Sequence, residues 1–205
     1  ITTHLTELIR DNMSELLSYV ETQNLLDELP NEHQKLVGEV VPNQISVGGI
    51  QRVLQNLLNE RVSIRDLPTI LEGISEACAF TRNVTQITEH VRSRLARQIS
   101  EQNSTEDNFI PLVTLSAEWE QIFSDSILDQ GEDKQLSMAP SQLQRFIGAV
   151  RNTLDELADK EDPPVVLTSP SARPFVRSII ERFRPAISIM SQNELHPKAK
   201  IKTLG

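Results

Sequence analysis

Cysteine occurs once, as Cys78, so the chain can form no internal disulfide and no cysteine-rich zinc site. That scarcity fits a reducing compartment, the cytoplasm. No stretch reaches the ~18 consecutive apolar residues that cross a bilayer. Glycine is sparse, and the one adjacent pair, Gly48 and Gly49, lacks the G-x-x-x-x-G-K-S/T frame that cradles phosphate and follows no strand. Histidine is scattered over His4, His33, His90 and His196, without an H-E-x-x-H pair, so no metal is expected. Positive charge is in deficit, with 20 Lys and Arg against 29 Asp and Glu and a net charge of -9. Such a chain repels a phosphate backbone, which excludes nucleic acid as a partner and disfavours a helix-turn-helix role for residues 51–78. Neither an initial methionine nor a signal peptide is present, and the sequence opening at Ile1 is expected to be an excised piece of a longer protein.

What is there is a hydrophobic share of 38% over 205 residues, enough for a core in one large domain or two small ones. The charge is uneven: 13 acids and 9 bases in residues 1–100, 12 and 4 in 101–160, 4 and 7 in 161–205. The acidic middle reads first as a solvated face.

Apolar residues in the first half recur at helical spacing. Leu5, Leu8, Ile9, Leu16 and Val20 predict one helix to about Tyr19, capped by Thr2 or Thr3. Leu25, Leu26 and Leu29 predict a short turn ended by Pro30, and Leu36, Val37, Val40 and Val41 another ended by Pro42. The clearest stripes are Ile50, Val53, Leu54, Leu57 and Leu58, then Leu67, Ile70, Leu71, Ile74 and Cys78. Between them Asp66 is placed to cap and Pro68 to sit in a first turn, with Val62 and Ile64 folding the corner onto the core. Val84, Ile87, Val91, Leu95 and Ile99 predict a further helix displaying Arg92, Arg94 and Arg97, with Arg97 paired to Glu101.

Periodicity stops in residues 101–109. Beyond it "FIPLVTL", "PVVLTS" and "AISIMS" read as strands, with a fourth near Ile201 whose alternating Lys198, Lys200 and Lys202 mark an edge. Helices bearing Trp119, Ile122 and Phe123, then Leu143, Phe146, Ile147, Val150, Leu154 and Leu157, then Val176, Ile179, Ile180 and Phe183 lie between them. "DQGEDKQLS" reads as a polar loop, and Ser169 and Pro170 as a helix start. The expectation is α + α/β: an all-helical subdomain, then a small α/β subdomain with a mostly parallel three- to four-stranded sheet.

Candidate chemistry is thin. Cys78 closes an apolar stripe and reads as a buried small hydrophobe. Ser169 lacks the G-x-S-x-G elbow, and Glu118 and Glu120 sit where negative charge suits a helix start. No catalytic residue or cofactor is expected. The residues alone point to a non-enzymatic module that presents surfaces, the alternative being a phosphate- or nucleotide-binding enzyme domain that uses the C-terminal α/β half.

"VLQNLLNERVSIRDLPTILEGI", residues 53–74, resembles the cytoplasmic region of the flagellar and type III secretion export-gate family, the FlhA-like or FHIPEP proteins. "PPVVLTSPSARPFVRSIIERFRPAISIMSQNEL", residues 163–195, is similar to that family's C-terminal segment, including the Ser-Pro helix start, Arg173, Arg177, Pro185, Ser191, Asn193 and Glu194. "THLTELIR", residues 3–10, is similar too, and over 101–160 the likeness is one of pattern. The resemblance implies residues 1–20 as the last helix of a preceding subdomain, 21–100 as the helical subdomain and 110–205 as the α/β subdomain, and the polar stretch 101–109 between them is expected to be a linker that lets the terminal part swing. It implies a non-enzymatic, cytoplasmic part of an inner-membrane export gate, with the full-length protein integral to the membrane. Such a part assembles into a homo-oligomeric ring, meets other export-apparatus proteins and docks export chaperones with their substrates. Thr3 is the one partner contact the resemblance implies, and "SIRDLPTILEGI" leans towards a flagellar host.

Overall fold

Short polar side chains set where the helices of the first half begin. Ser18, Ser46, Asp66 and Asn83 each accept a hydrogen bond from the backbone N–H three residues on, at 3.1, 3.1, 3.3 and 3.0 Å. The computed structural model describes residues 12–158 and 162–204, and the chain divides into two units, Ile1–Leu95 and Ala96–Gly205. The expected helix over Leu5, Leu8 and Ile9, its caps Thr2 and Thr3, and the Thr3 contact lie outside the described residues.

Six helices are described in the first unit: α1 (Met13–Leu16), α2 (Tyr19–Asp27), α3 (Asn31–Val40), α4 (Val47–Asn59), α5 (Leu67–Cys78) and α6 (Val84–Arg94). Tyr19 begins a helix instead of ending one. Leu17 is extended, Ser18 caps α2, and Gln51 and Gln55 of α4 donate to the Leu17 carbonyl at 3.0 and 3.1 Å, pinning the break. The break turns Leu16 and Val20 out of the expected stripe to 65% and 63% exposure, while Leu17 and Leu26 take the buried places.

The corner between α4 and α5 closes as expected, by a mechanism the spacing did not show. Arg61 adopts φ 58°, its N–H donates to the Leu58 carbonyl at 2.9 Å, and the Val62 N–H reaches the Leu57 carbonyl at 2.9 Å. This is a Schellman ending, with buried Val62 folded back on buried Leu57. Ile50, Val53, Leu54, Leu57, Ile70, Leu71 and Ile74 are fully buried, each burial contributing about 1.5–3 kcal/mol. Helix α5 lies closest to α6 at Gly73, where an added Cβ would stand 3.3 Å from the Val91 Cα. The helix expected through Ile99 breaks at Leu95 and restarts as α7 (Ala96–Gln102), and the two units divide there, ahead of residues 101–109.

The second unit continues with β1 (Phe109–Thr114), α8 (Ala117–Ser126), β2 (Ile127–Gln130), β3 (Asp133–Leu136), α9 (Pro140–Glu156), β4 (Val165–Thr168), α10 (Arg173–Ile180), β5 (Ile189–Ser191) and β6 (Lys200–Thr203). The sheet is parallel in the order β5-β4-β1-β6, with Leu112 opposite Val165, Ile110 opposite Ile201 and Val166 opposite Ile189. Both the helical part and the small four-stranded α/β part expected from sequence are thus present. Phe123, Phe146, Val176, Ile180 and Ile189 form the core, where the Phe123 and Phe146 rings meet edge-on at 5.0 Å.

Two local expectations fail. "DQGEDKQLS" is largely the β2–β3 hairpin, turning at Gly131 with φ +72°; its strands are nearly all exposed and carry no apolar alternation to betray them. Ser169 does not cap a helix with its hydroxyl. Residues 170–172 form a turn, α10 begins at Arg173, and the Ser169 carbonyl accepts from the Arg173 N–H at 3.0 Å. Within the expected 101–109 linker, the Thr105 N–H donates to the Phe109 carbonyl at 2.8 Å and the Asn108 N–H to the Thr105 carbonyl at 2.9 Å.

Candidate interaction surfaces

The three arginines expected on one polar face part ways. Arg92 is buried, with Nη1 3.4 Å from a Glu60 carboxylate oxygen at the end of α4, because α6 packs that side against α4. Arg94 remains half-exposed and lies 3.1 Å from Glu72 and 3.7 Å from Glu76. Arg97 belongs to α7 and pairs with Glu101 at 2.9 Å, as the i, i+4 spacing predicts. Glu76 also meets His90 Nε2 at 2.8 Å, and Phe80, 66% exposed, stands edge-on to the His90 ring at 5.6 Å.

Sequence reasoning overlooked the surface around the α1–α2 break. Met13, Leu16, Tyr19 and Val20 are all exposed, four large apolar side chains in one short stretch. Concentrations of this kind mark contact surfaces more often than scattered single residues do. The signal was present in sequence, but reading the stretch as one helix assigned Leu16 and Val20 to a core stripe.

The residues with potential chemistry are engaged structurally. Cys78 is buried, and burial pushes its thiol above the ordinary value while neighbouring Arg82 opposes the shift. Ser169, where an anion could sit on free amides, has its N–H donated to Glu120 Oε1 at 2.8 Å, and Thr168 Oγ1 donates to the same oxygen at 3.0 Å. A carboxylate of the chain itself thus fills the seat at the carboxyl end of β4 where α/β sheets take phosphate. Glu118, the other acid of that pair, bonds Arg145, which also lies over the Trp119 ring at 4.9 Å. Among the described residues no three His, Cys, Asp or Glu side chains come together as a metal site, and no helix is long and apolar enough to cross a membrane.

The quoted C-terminal residues form a framework. Arg173 is buried and donates to the Ile189 carbonyl at 3.1 Å; buried Ser191 and Glu194 close a reciprocal cap. Arg177 lies 3.4 Å from Glu181. At the opposite, amino end of β1 and β6 a groove of about 400 Å3 is lined by Arg97, Ser100 and Ser104 of the α7 side, Asn108, and the His196–Lys200 segment.

Comparison with known proteins accounts for this arrangement of framework and surfaces. Over 205 residues the chain is 54% identical to the flagellar biosynthesis protein FlhA of Caulobacter vibrioides, covering all of this chain and 29% of that protein. The chain therefore spans less than a third of that relative. Its fold matches the CdsV protein of Chlamydia pneumoniae with a TM-score of 0.90 at 29% identity, over 99% of this chain and 58% of that one. It also matches the nonameric EPEC SctV-C with a TM-score of 0.86 at 27% identity, over 98% of this chain and 60% of that one. The FHIPEP family model matches residues 1–200, and the chain belongs to the FHIPEP family.

Proposed function

We propose that this chain is part of the cytoplasmic region of a bacterial flagellar protein export gate, that it assembles into a ring beneath the inner membrane, and that it takes part in docking export chaperones with their substrates. The observation that carries this reading is family membership over residues 1–200 together with the nonameric assembly of a relative that shares the fold. Identity of 54% to the flagellar protein of Caulobacter vibrioides, against 29% to CdsV and 27% to SctV-C, favours the flagellar host. Membrane attachment and other export-apparatus partners belong to the full-length protein.

A ring of identical copies needs two different complementary surfaces on each copy. The apolar stretch Met13–Val20 supplies one candidate surface. Thr3 is proposed as a chaperone contact. In the full-length protein, Thr3→Arg is expected to weaken co-purification of export chaperones while leaving the ring intact in electron micrographs. Unchanged chaperone recovery would remove Thr3 from the reading, and loss of the ring instead would reassign it to self-assembly.

A further inference from the structure

The groove at the amino end of β1 and β6 is chemically unlike the rest of this acidic chain. Arg97, His196, Lys198 and Lys200 line it against one acid, Glu101, which is already paired with Arg97 at 2.9 Å. Among the described residues neither the Lys198 nor the Lys200 ammonium has a carboxylate partner. Ser100 is committed: its hydroxyl donates to the Glu194 carbonyl at 3.0 Å and accepts from the His196 N–H at 2.9 Å, which fixes one wall. The other feature is β6 itself. It is the outer strand of the sheet and all of its residues are exposed, so among the described residues one row of its backbone groups has no strand partner. An exposed strand edge accepts an added extended segment, and side chains alternating along it read that segment's charge.

We propose that this groove is a docking site for an extended acidic segment of a partner protein, whose carboxylates pair with Lys198 and Lys200 while its backbone runs beside β6. Charge complementarity selects this occupant. A net charge of -9 repels acidic segments over most of the surface, so attraction is confined to a local basic cluster. The volume of about 400 Å3 admits a few side chains of such a segment. Lysines on an edge also discourage pairing with other sheets, and that role alone would leave the groove empty of partners. The inference does not depend on the export-gate reading.

The test uses the 205-residue chain and a fluorescent decapeptide of alternating glutamate and threonine, followed by anisotropy and by amide shifts in NMR spectra. Saturable binding is expected, with shifts confined to Ser100, Ser104, Asn108 and residues 196–203. The double variant Lys198→Glu/Lys200→Glu should weaken binding about tenfold. The charge-matched control Lys35→Glu/Lys134→Glu, remote in sequence from the groove, should not. Absence of saturation, equal weakening by both pairs, shifts elsewhere, or tighter competition by an oligonucleotide than by the peptide would overturn the proposal. If the groove variant fails to fold, the shift map of the unaltered chain decides alone.

Discussion

Individual side chains carry much of what distinguishes this chain from any other helical block. Gly73 is required by the approach of α5 to α6. Gly73→Ala puts a methyl 3.2 Å from Val91 Cγ2 and 3.3 Å from the Val91 Cα, and backbone cannot yield as a side chain does. The contact costs about 1–3 kcal/mol and the better helix propensity of alanine returns about 0.5–1 kcal/mol, so a net loss of about 1–2 kcal/mol is expected in urea unfolding. Arg61 holds φ 58°, so a β-branched Arg61→Val should cost on the order of 1–2 kcal/mol, whereas Arg61→Gly should not destabilise the corner to that extent. Cys78 makes a pH prediction. Its folded thiol holds the proton more tightly than the unfolded chain does, so the contribution is complete below the ordinary value of 9.0 and is lost as pH rises through the raised folded value. Cys78→Ser should therefore flatten the fall of Tm between neutral and strongly alkaline pH. The buried position of Cys78 could be read from its place in the stripe, but Arg92 could not: its pairing with Glu60 depends on how α6 packs on α4, which periodicity within one helix does not contain.

Secondary-structure elements were legible in proportion to how regularly they bury apolar residues. Helices α4 and α5 bury one continuous face each, and their spacing alone places Ile50 to Cys78. Three strands of the parallel sheet were legible for the same reason, since β1, β4 and β5 are apolar runs covered on the sheet faces, whereas exposed β6 showed only through its alternating lysines. Missed features are those held by polar detail. The α1–α2 break rests on Ser18, Gln51 and Gln55, and the β2–β3 hairpin rests on backbone pairing and Gly131. The α5 cap gives a direct check: Asp66→Ala is expected to remove the 3.3 Å bond to the Thr69 N–H and cost about 1 kcal/mol, with Asp66→Asn close to neutral. Glu120 ties α8 to the end of β4. Glu120→Ala should lower stability by about 1–3 kcal/mol, because it strands the Ser169 N–H and the Thr168 hydroxyl. If the vacated seat then bound inorganic phosphate, a rise in Tm with phosphate should appear in the variant alone.

The molecule as two units joins a dry helical scaffold to a small α/β body whose potential anion seat is occupied by its own carboxylate. The described residues offer several surfaces: the apolar stretch Met13–Val20, the Phe80 and His90 edge, the acidic hairpin and the basic groove. Thr3 as a candidate partner contact rests on the family resemblance alone, because its hydroxyl reads equally as a helix cap, and it lies outside the described residues. The exposed stretch was not legible, because exposure of Leu16 and Val20 depends on the break between α1 and α2. Surface presentation is tested most directly by Leu16→Glu/Val20→Glu in the full-length protein, measured as export of flagellar proteins into the medium alongside the Tm of the purified 205-residue chain. Export should fall at least about tenfold, with Tm held within roughly 2–3 °C because both residues already face solvent. Normal export by the double variant, or loss of export only in step with loss of folding, would contradict it.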